Sequence, residues 1–203
     1  MRNYIFLILV IIAIIGAILL VREKKVSSPA SLVTSTSTVV AFGDSLVYGT
    51  GSTSGNDFVS VLGKMLNHDI VNMGVPGDTT AEGLGRIDQL IKQKPDLVLV
   101  LLGGNDALGN IPKEQTFSNL GKIIDRLQAN NIKIVLLGIQ GGLFNIADPY
   151  EAEFKKLAED KKVILVPNVL EGIFGSNELM SDPVHPNDAG YKKIAEKVYS
   201  YLK

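Results

Sequence analysis

The chain has 203 residues, 20 of them basic and 21 acidic, a net charge of −1 with histidines neutral, and no cysteine. This length suits one domain plus an appendage, and the lack of cysteine excludes disulfides, zinc–thiolate sites, a cysteine nucleophile and a lipidated cysteine anchor. Residues 1–25 hold four basic residues and one acidic residue, leaving 16 basic against 20 acidic, a net of −4; so acidic a remainder argues against nucleic acid as the partner.

The first element is an unbroken apolar run of 17 residues, 5–21, with Arg2 before it and Arg22, Lys24 and Lys25 after it. No polar face interrupts it, so it reads as one N-terminal transmembrane helix rather than a helix of a soluble core. A cleaved signal is the alternative, with small residues at Ser28-Pro29-Ala30. Three basic residues on the C-terminal flank favour a cytoplasmic domain. The signal-like position and the Ser/Thr-rich stretch that follows favour export. The expectation adopted is a single-pass membrane protein with an extracytoplasmic domain, secreted if cleaved. Residues 26–37 (VSSPASLVTSTS) read as a flexible tether. The chain thus divides into 1–25, 26–37 and a folded domain over 38–203.

From Thr38 onward, short apolar runs alternate with helical patterns. The runs are 38–42, 70–73, 96–102, 133–137 and 163–166. Between them, apolar residues recur at helical spacing: Phe58, Leu62, Met65 and Leu66; Leu84, Ile87, Leu90 and Ile91; Phe117, Leu120, Ile124 and Leu127; Phe154, Leu157 and Ala158; and Tyr191, Ile194, Ala195, Val198 and Leu202. These stripes are core faces. Regular alternation predicts an α/β protein, a three-layer α/β/α sandwich around a five-stranded parallel sheet.

In such sheets the carboxyl ends of the strands face the ligand crevice. Ser45 follows the first run by three residues, after Gly43-Asp44. A serine there most often caps a helix, so it needs partners. Only two histidines exist. His68 lies in a polar turn after a helix and reads as a loop or C-cap residue. His185 lies in Ser181-Asp182-Pro183-Val184-His185-Pro186-Asn187, a loop stiffened by two prolines ahead of a helix capped by Asn187. Asp182 can bond the Nδ1–H of His185 and leave Nε2 free to take a serine proton. An Asx-turn with an idle histidine is the plainer alternative. Two further turns follow strands on the same rim: residues 72–80, with Gly74 and Gly77, and Gly103-Gly104-Asn105-Asp106. Glycine N–H groups and an asparagine amide are the neutral donors that acyl transfer places at a developing oxyanion.

Gly43-Asp44-Ser45-Leu46, Gly77 in its turn, Gly103-Gly104-Asn105-Asp106 and Asp182-Pro183-Val184-His185 resemble the four blocks of the SGNH hydrolase family, also called GDSL lipases/esterases. The blocks stand in the family's order, and the likeness extends from Val39 to Leu202. It is nearest to the bacterial arylesterase, thioesterase and lysophospholipase branch. The resemblance implies a flavodoxin-like sheet and hydrolysis of carboxylic, thio- or lysophospholipid esters through an acyl-enzyme. It implies Ser45 as nucleophile, His185 as general base and Asp182 as its orienting acid. The oxyanion hole would comprise the Ser45 N–H, the Gly77 N–H and the Asn105 side chain, with Gly74 competing for Gly77's place. Asp44 and Asp106 would hold their own turns, and residues 141–144 would help shape the acyl pocket. No cofactor or metal is implied. The partners are a small-molecule or lipid ester and, through the N-terminal helix, a membrane.

Gly-x-Ser-x-Gly, a Walker A sequence, a dinucleotide Gly-x-Gly-x-x-Gly after the first strand and a zinc signature are all absent from the sequence. Two alternatives keep the same sequence features: an O-acetyl-sugar deacetylase of the cell envelope, and a tethered binding module without catalysis.

Overall fold

In a computed structural model the described residues are 32–139 and 149–203. The five expected strands form within a residue or two of their sequence bounds: Val39–Gly43 (β1), Ile70–Gly74 (β2), Leu97–Leu101 (β3), Lys133–Leu137 (β4) and Ile164–Val166 (β5). All pair in parallel in the order β2-β1-β3-β4-β5. Every residue of β1 and β3 is buried, as a strand covered on both faces requires. β2 is one edge of the sheet, and Val71 and Asn72 stay exposed there. This strand order reverses direction between β1 and β3. Such a switch point opens a crevice at the carboxyl ends of those two strands.

The helices are Ser45–Tyr48 (α1), Phe58–Leu66 (α2), Thr80–Gly85 (α3), Ile87–Ile91 (α4), Gly104–Leu108 (α5), Lys113–Gln128 (α6), Pro149–Lys161 (α7) and Asp188–Leu202 (α8). α2 packs on α8, while α6 packs on α3, α4, α5 and α7, which supplies the two helical layers. Their buried faces are the predicted stripes: Phe58 and Leu62 on α2, Leu120, Ile124 and Leu127 on α6, Tyr191, Ile194, Ala195 and Val198 on α8. Asn187 caps α8 as its position suggests, its Oδ1 accepting from Ala189 and Gly190 N–H at 3.0 and 3.1 Å.

Two local readings differ, and a third falls outside the described residues. The stripe Leu84, Ile87, Leu90 and Ile91 suggested one helix, yet the chain breaks at Arg86 (φ −108°, ψ 11°) into α3 and α4. Glycines at 83 and 85 weaken the helix there, and the Arg86 side chain is committed elsewhere. Of the segment read as a tether, Leu32 and Val33 lie against the domain, while Thr34, Ser35 and Thr36 stay exposed. Leu32 and Val33 are partly buried on the core, and the Leu32 N–H donates to the Leu202 carbonyl at 3.1 Å. The expected membrane helix over residues 5–21 lies outside the described residues; among these, no helix is long and apolar enough to cross a membrane.

Candidate active site

Two close approaches bring the turn after β1 into place. A Cβ on Gly43 would stand 2.1 Å from the Leu101 carbonyl oxygen, and one on Gly74 would stand 2.1 Å from the Tyr48 nitrogen. Only glycine permits β1 to meet β3 and β2 to meet α1 this tightly. Asp44 then caps α1, its Oδ1 accepting from the Leu46 N–H at 2.9 Å. Ser45 is the first residue of α1, so its N–H has no partner within the helix.

The loop ahead of α8 delivers the imidazole. An isolated antiparallel bridge pairs Met180 with Pro186, and the Ser181 N–H donates to the His185 carbonyl at 2.8 Å. Inside that turn, Asp182 Oδ1 accepts from the Val184 and His185 N–H groups, both at 2.8 Å. Its Oδ2 lies 2.7 Å from His185 Nδ1. A carboxylate can only accept, so the ring proton sits on Nδ1. Nε2 is thereby an acceptor, and it lies 3.0 Å from Ser45 Oγ. Burial alone would raise the Asp182 carboxyl. The His185 ring bond and the two backbone N–H bonds, with the electrostatic attraction of the His185 ring, hold it below the ordinary aspartate range.

Ser45, Gly77, Asn105 and His185 line one cleft of about 280 Å³. Its other walls include Leu46, Leu108, Ile139, Leu170, Phe174 and Val184, so it is mainly apolar. Gly77 sits at φ +88°, and its would-be Cβ points into open space. Among the described residues, no protein acceptor takes the Ser45 or Gly77 N–H. Asn105 donates from Nδ2 to the Asp78 carbonyl at 2.8 Å. That bond uses one of its two amide hydrogens and holds the side chain at the cleft wall. Gly74, the other glycine of that turn, packs under α1 and is not part of the cleft.

Asp44 and Asp106 part company. Asp44 holds its own turn, and burial pushes its carboxyl up to about 7; the Leu46 N–H bond opposes the rise, and the charges of Asp78 and Asp106 add to it. Asp106 was expected to hold its own turn too. Instead its carboxylate reaches 26 residues back to α3, accepting from the Thr80 N–H at 2.8 Å and the Thr80 hydroxyl at 2.5 Å. The Thr116 hydroxyl of α6 donates to it as well, at 3.2 Å. Asp106 is fully buried, and three donors offset the cost of burying it. His68 stays in the bend after α2 and does not line the cleft. Residues 141–144, expected to shape the acyl pocket, lie outside the described residues. Leu170, Phe174 and Val184 had no sequence signal as cleft walls, because they stand in irregular chain without periodicity. Arg86, treated below, was likewise hidden within a helical stripe. Among the described residues, no cluster of histidine, aspartate and glutamate could hold a metal ion.

The chain is 34% identical over 177 residues to the esterase TesA of Pseudomonas aeruginosa, covering 82% of this chain and 88% of that one. It is 32% identical over 175 residues to the thioesterase 1/protease 1/lysophospholipase L1 of Escherichia coli K12, covering 82% and 83%. The crystal structure of AlinE4, an SGNH-hydrolase family esterase, superposes with a TM-score of 0.67 at 33% identity, covering 84% of this chain and 96% of that one. Residues 41–193 match the model of the GDSL-like lipase/acylhydrolase family, and the chain belongs to that SGNH hydrolase family.

Proposed function

We propose that this protein is a serine ester hydrolase of the arylesterase, thioesterase and lysophospholipase kind. Ser45 Oγ attacks the ester carbonyl while His185 Nε2 takes the hydroxyl proton. The carbonyl oxygen becomes an oxyanion that accepts from the Ser45 N–H, the Gly77 N–H and the free amide hydrogen of Asn105. The tetrahedral adduct then collapses: the bond to the alcohol (or thiol) breaks, and His185 returns the proton to it. Water, activated by the same Nε2, releases the acid and restores Ser45. Asp182 holds the imidazole in the tautomer that leaves Nε2 basic. The observation that carries this reading is the alignment of Asp182, His185 and Ser45 at 2.7 and 3.0 Å on an apolar cleft. An apolar cleft favours an acyl chain, and no separate observation favours an acetylated sugar.

Residues 5–21 would anchor residues 38–203 to a membrane through the 26–37 segment, with the catalytic domain outside the cytoplasm. The support is the apolar run and its signal-like position. Protease shaving of intact cells would remove a domain placed outside; full protection would sink that placement.

The catalytic reading is tested by Ser45→Ala. Turnover of a p-nitrophenyl short-chain ester falls by about 10³-fold or more, with the circular dichroism spectrum unchanged. A folded Ser45→Ala protein with near-normal turnover would overturn it.

A further inference from the structure

The guanidinium of Arg86 stands at the joint between α3 and α4, largely buried, and reaches back to the sheet. Its Nε donates to Asp78 Oδ2 at 2.5 Å, one Nη to the Met73 carbonyl at 3.0 Å, and the other Nη to the Gly43 carbonyl at 2.8 Å. The group also lies over the Phe42 ring, 4.1 Å from its centroid. These acceptors belong to three different pieces of chain. Gly43 ends β1 two residues before Ser45. Met73 is near the end of β2. Asp78 directly follows Gly77, and its carbonyl takes the Asn105 amide at 2.8 Å.

We propose that Arg86 is a positioning residue for the oxyanion site: it sets the spacing between the Ser45 turn and the Gly77–Asp78 loop and, through the Asp78 carbonyl, aims the Asn105 amide. This rests on the esterase reading above. The planar fork makes the geometry possible. Five N–H donors fixed in one plane can span two strand-end carbonyls and a carboxylate together. A lysine ammonium is a single point on a flexible stem and cannot hold all three at once. Donors to a developing oxyanion act only where they are pre-aimed, so a loosened fork should tax the chemical step and not substrate capture.

The test measures kcat and KM for Arg86→Lys and Arg86→Ala on p-nitrophenyl butyrate, per active site titrated with a fluorophosphonate, with Ser45→Ala in parallel normalised to protein concentration. The expected result is a kcat lower by about 30-fold or more in Arg86→Lys with KM within about threefold. Added methylguanidinium should restore part of the kcat of Arg86→Ala and none in Ser45→Ala. A merely structural Arg86 would lower the melting temperature and the titratable fraction, yet leave kcat per titrated site unchanged; that outcome overturns the proposal. If both Arg86 variants fail to fold, Asp78→Asn takes their place. It keeps the backbone carbonyls and one side-chain oxygen but removes the charge that strengthens the Nε bond, and must lower kcat with KM unchanged; a wild-type kcat there overturns the proposal too. An active Ser45→Ala protein would instead sink the esterase reading itself, whatever the Arg86 variants do.

Discussion

The imidazole of His185 meets the hydroxyl of Ser45 at 3.0 Å, although 140 residues separate them in the chain. Replacing His185 with alanine removes the only side-chain acceptor for the serine proton among the described residues. Ester turnover at neutral pH should fall by about 10³-fold, within the range that general-base catalysis contributes. Steady-state rates on a p-nitrophenyl ester check this, and a loss under tenfold would count against His185 as the base.

Asp182→Asn keeps an oxygen for the Val184 and His185 N–H groups but can no longer hold the imidazole proton by charge. An amide that offers its NH₂ to Nδ1 favours the wrong tautomer. The expected loss is about 10²-fold or more in kcat. The melting temperature should barely move, because the Asp182 side chain is 43% exposed. A large fall in stability with kcat preserved would reverse the assignment.

Asp44 makes stability depend on pH in an unusual direction. Its carboxyl is raised from 3.8 to about 7 in the fold. The native state therefore holds a proton that the unfolded chain has already released. Stability conferred by the neutral form is complete below the ordinary value and is lost as pH rises through about 7. Asp44→Asn retains a capping oxygen for the Leu46 N–H and cannot ionise. Relative to the parent, it should be more stable at pH 8 than at pH 5 by roughly 2 kcal/mol or more. Urea titrations at both pH values measure this; an equal difference at the two would refute the buried ionisation.

Gly74 and Gly77 should respond differently to alanine. At Gly74 the new Cβ meets the Tyr48 nitrogen at 2.1 Å and its Cα at 2.7 Å, both backbone atoms. Backbone cannot yield as a side chain can, so a cost of about 3 kcal/mol or more is expected. At Gly77 no atom lies within 4 Å, and only φ +88° resists. That strain costs about 1–2 kcal/mol. Denaturant unfolding should rank the two in that order, and the reverse order would mean the β2–α1 contact is looser than drawn here.

The strands, most helices and the chemistry-bearing blocks are legible in the amino-acid order alone. Strand and helix periods are local properties of hydrophobic order, so 38–42 and 133–137 are legible wherever they end up in space. Asn187 as a cap, and Asp182 with His185 between prolines, are legible for the same reason: their partners lie within three residues. Folding settled what depends on distant chain. It separated Gly74, pressed beneath α1, from Gly77, open to the cleft. It sent Asp106 to Thr80 and Thr116 rather than into its own turn, and it broke a helical stripe at Arg86, whose side chain reaches two strand ends. Spacing along a chain carries no information about which carbonyl a buried guanidinium will meet. That is settled when the sheet closes and every buried donor must find an acceptor.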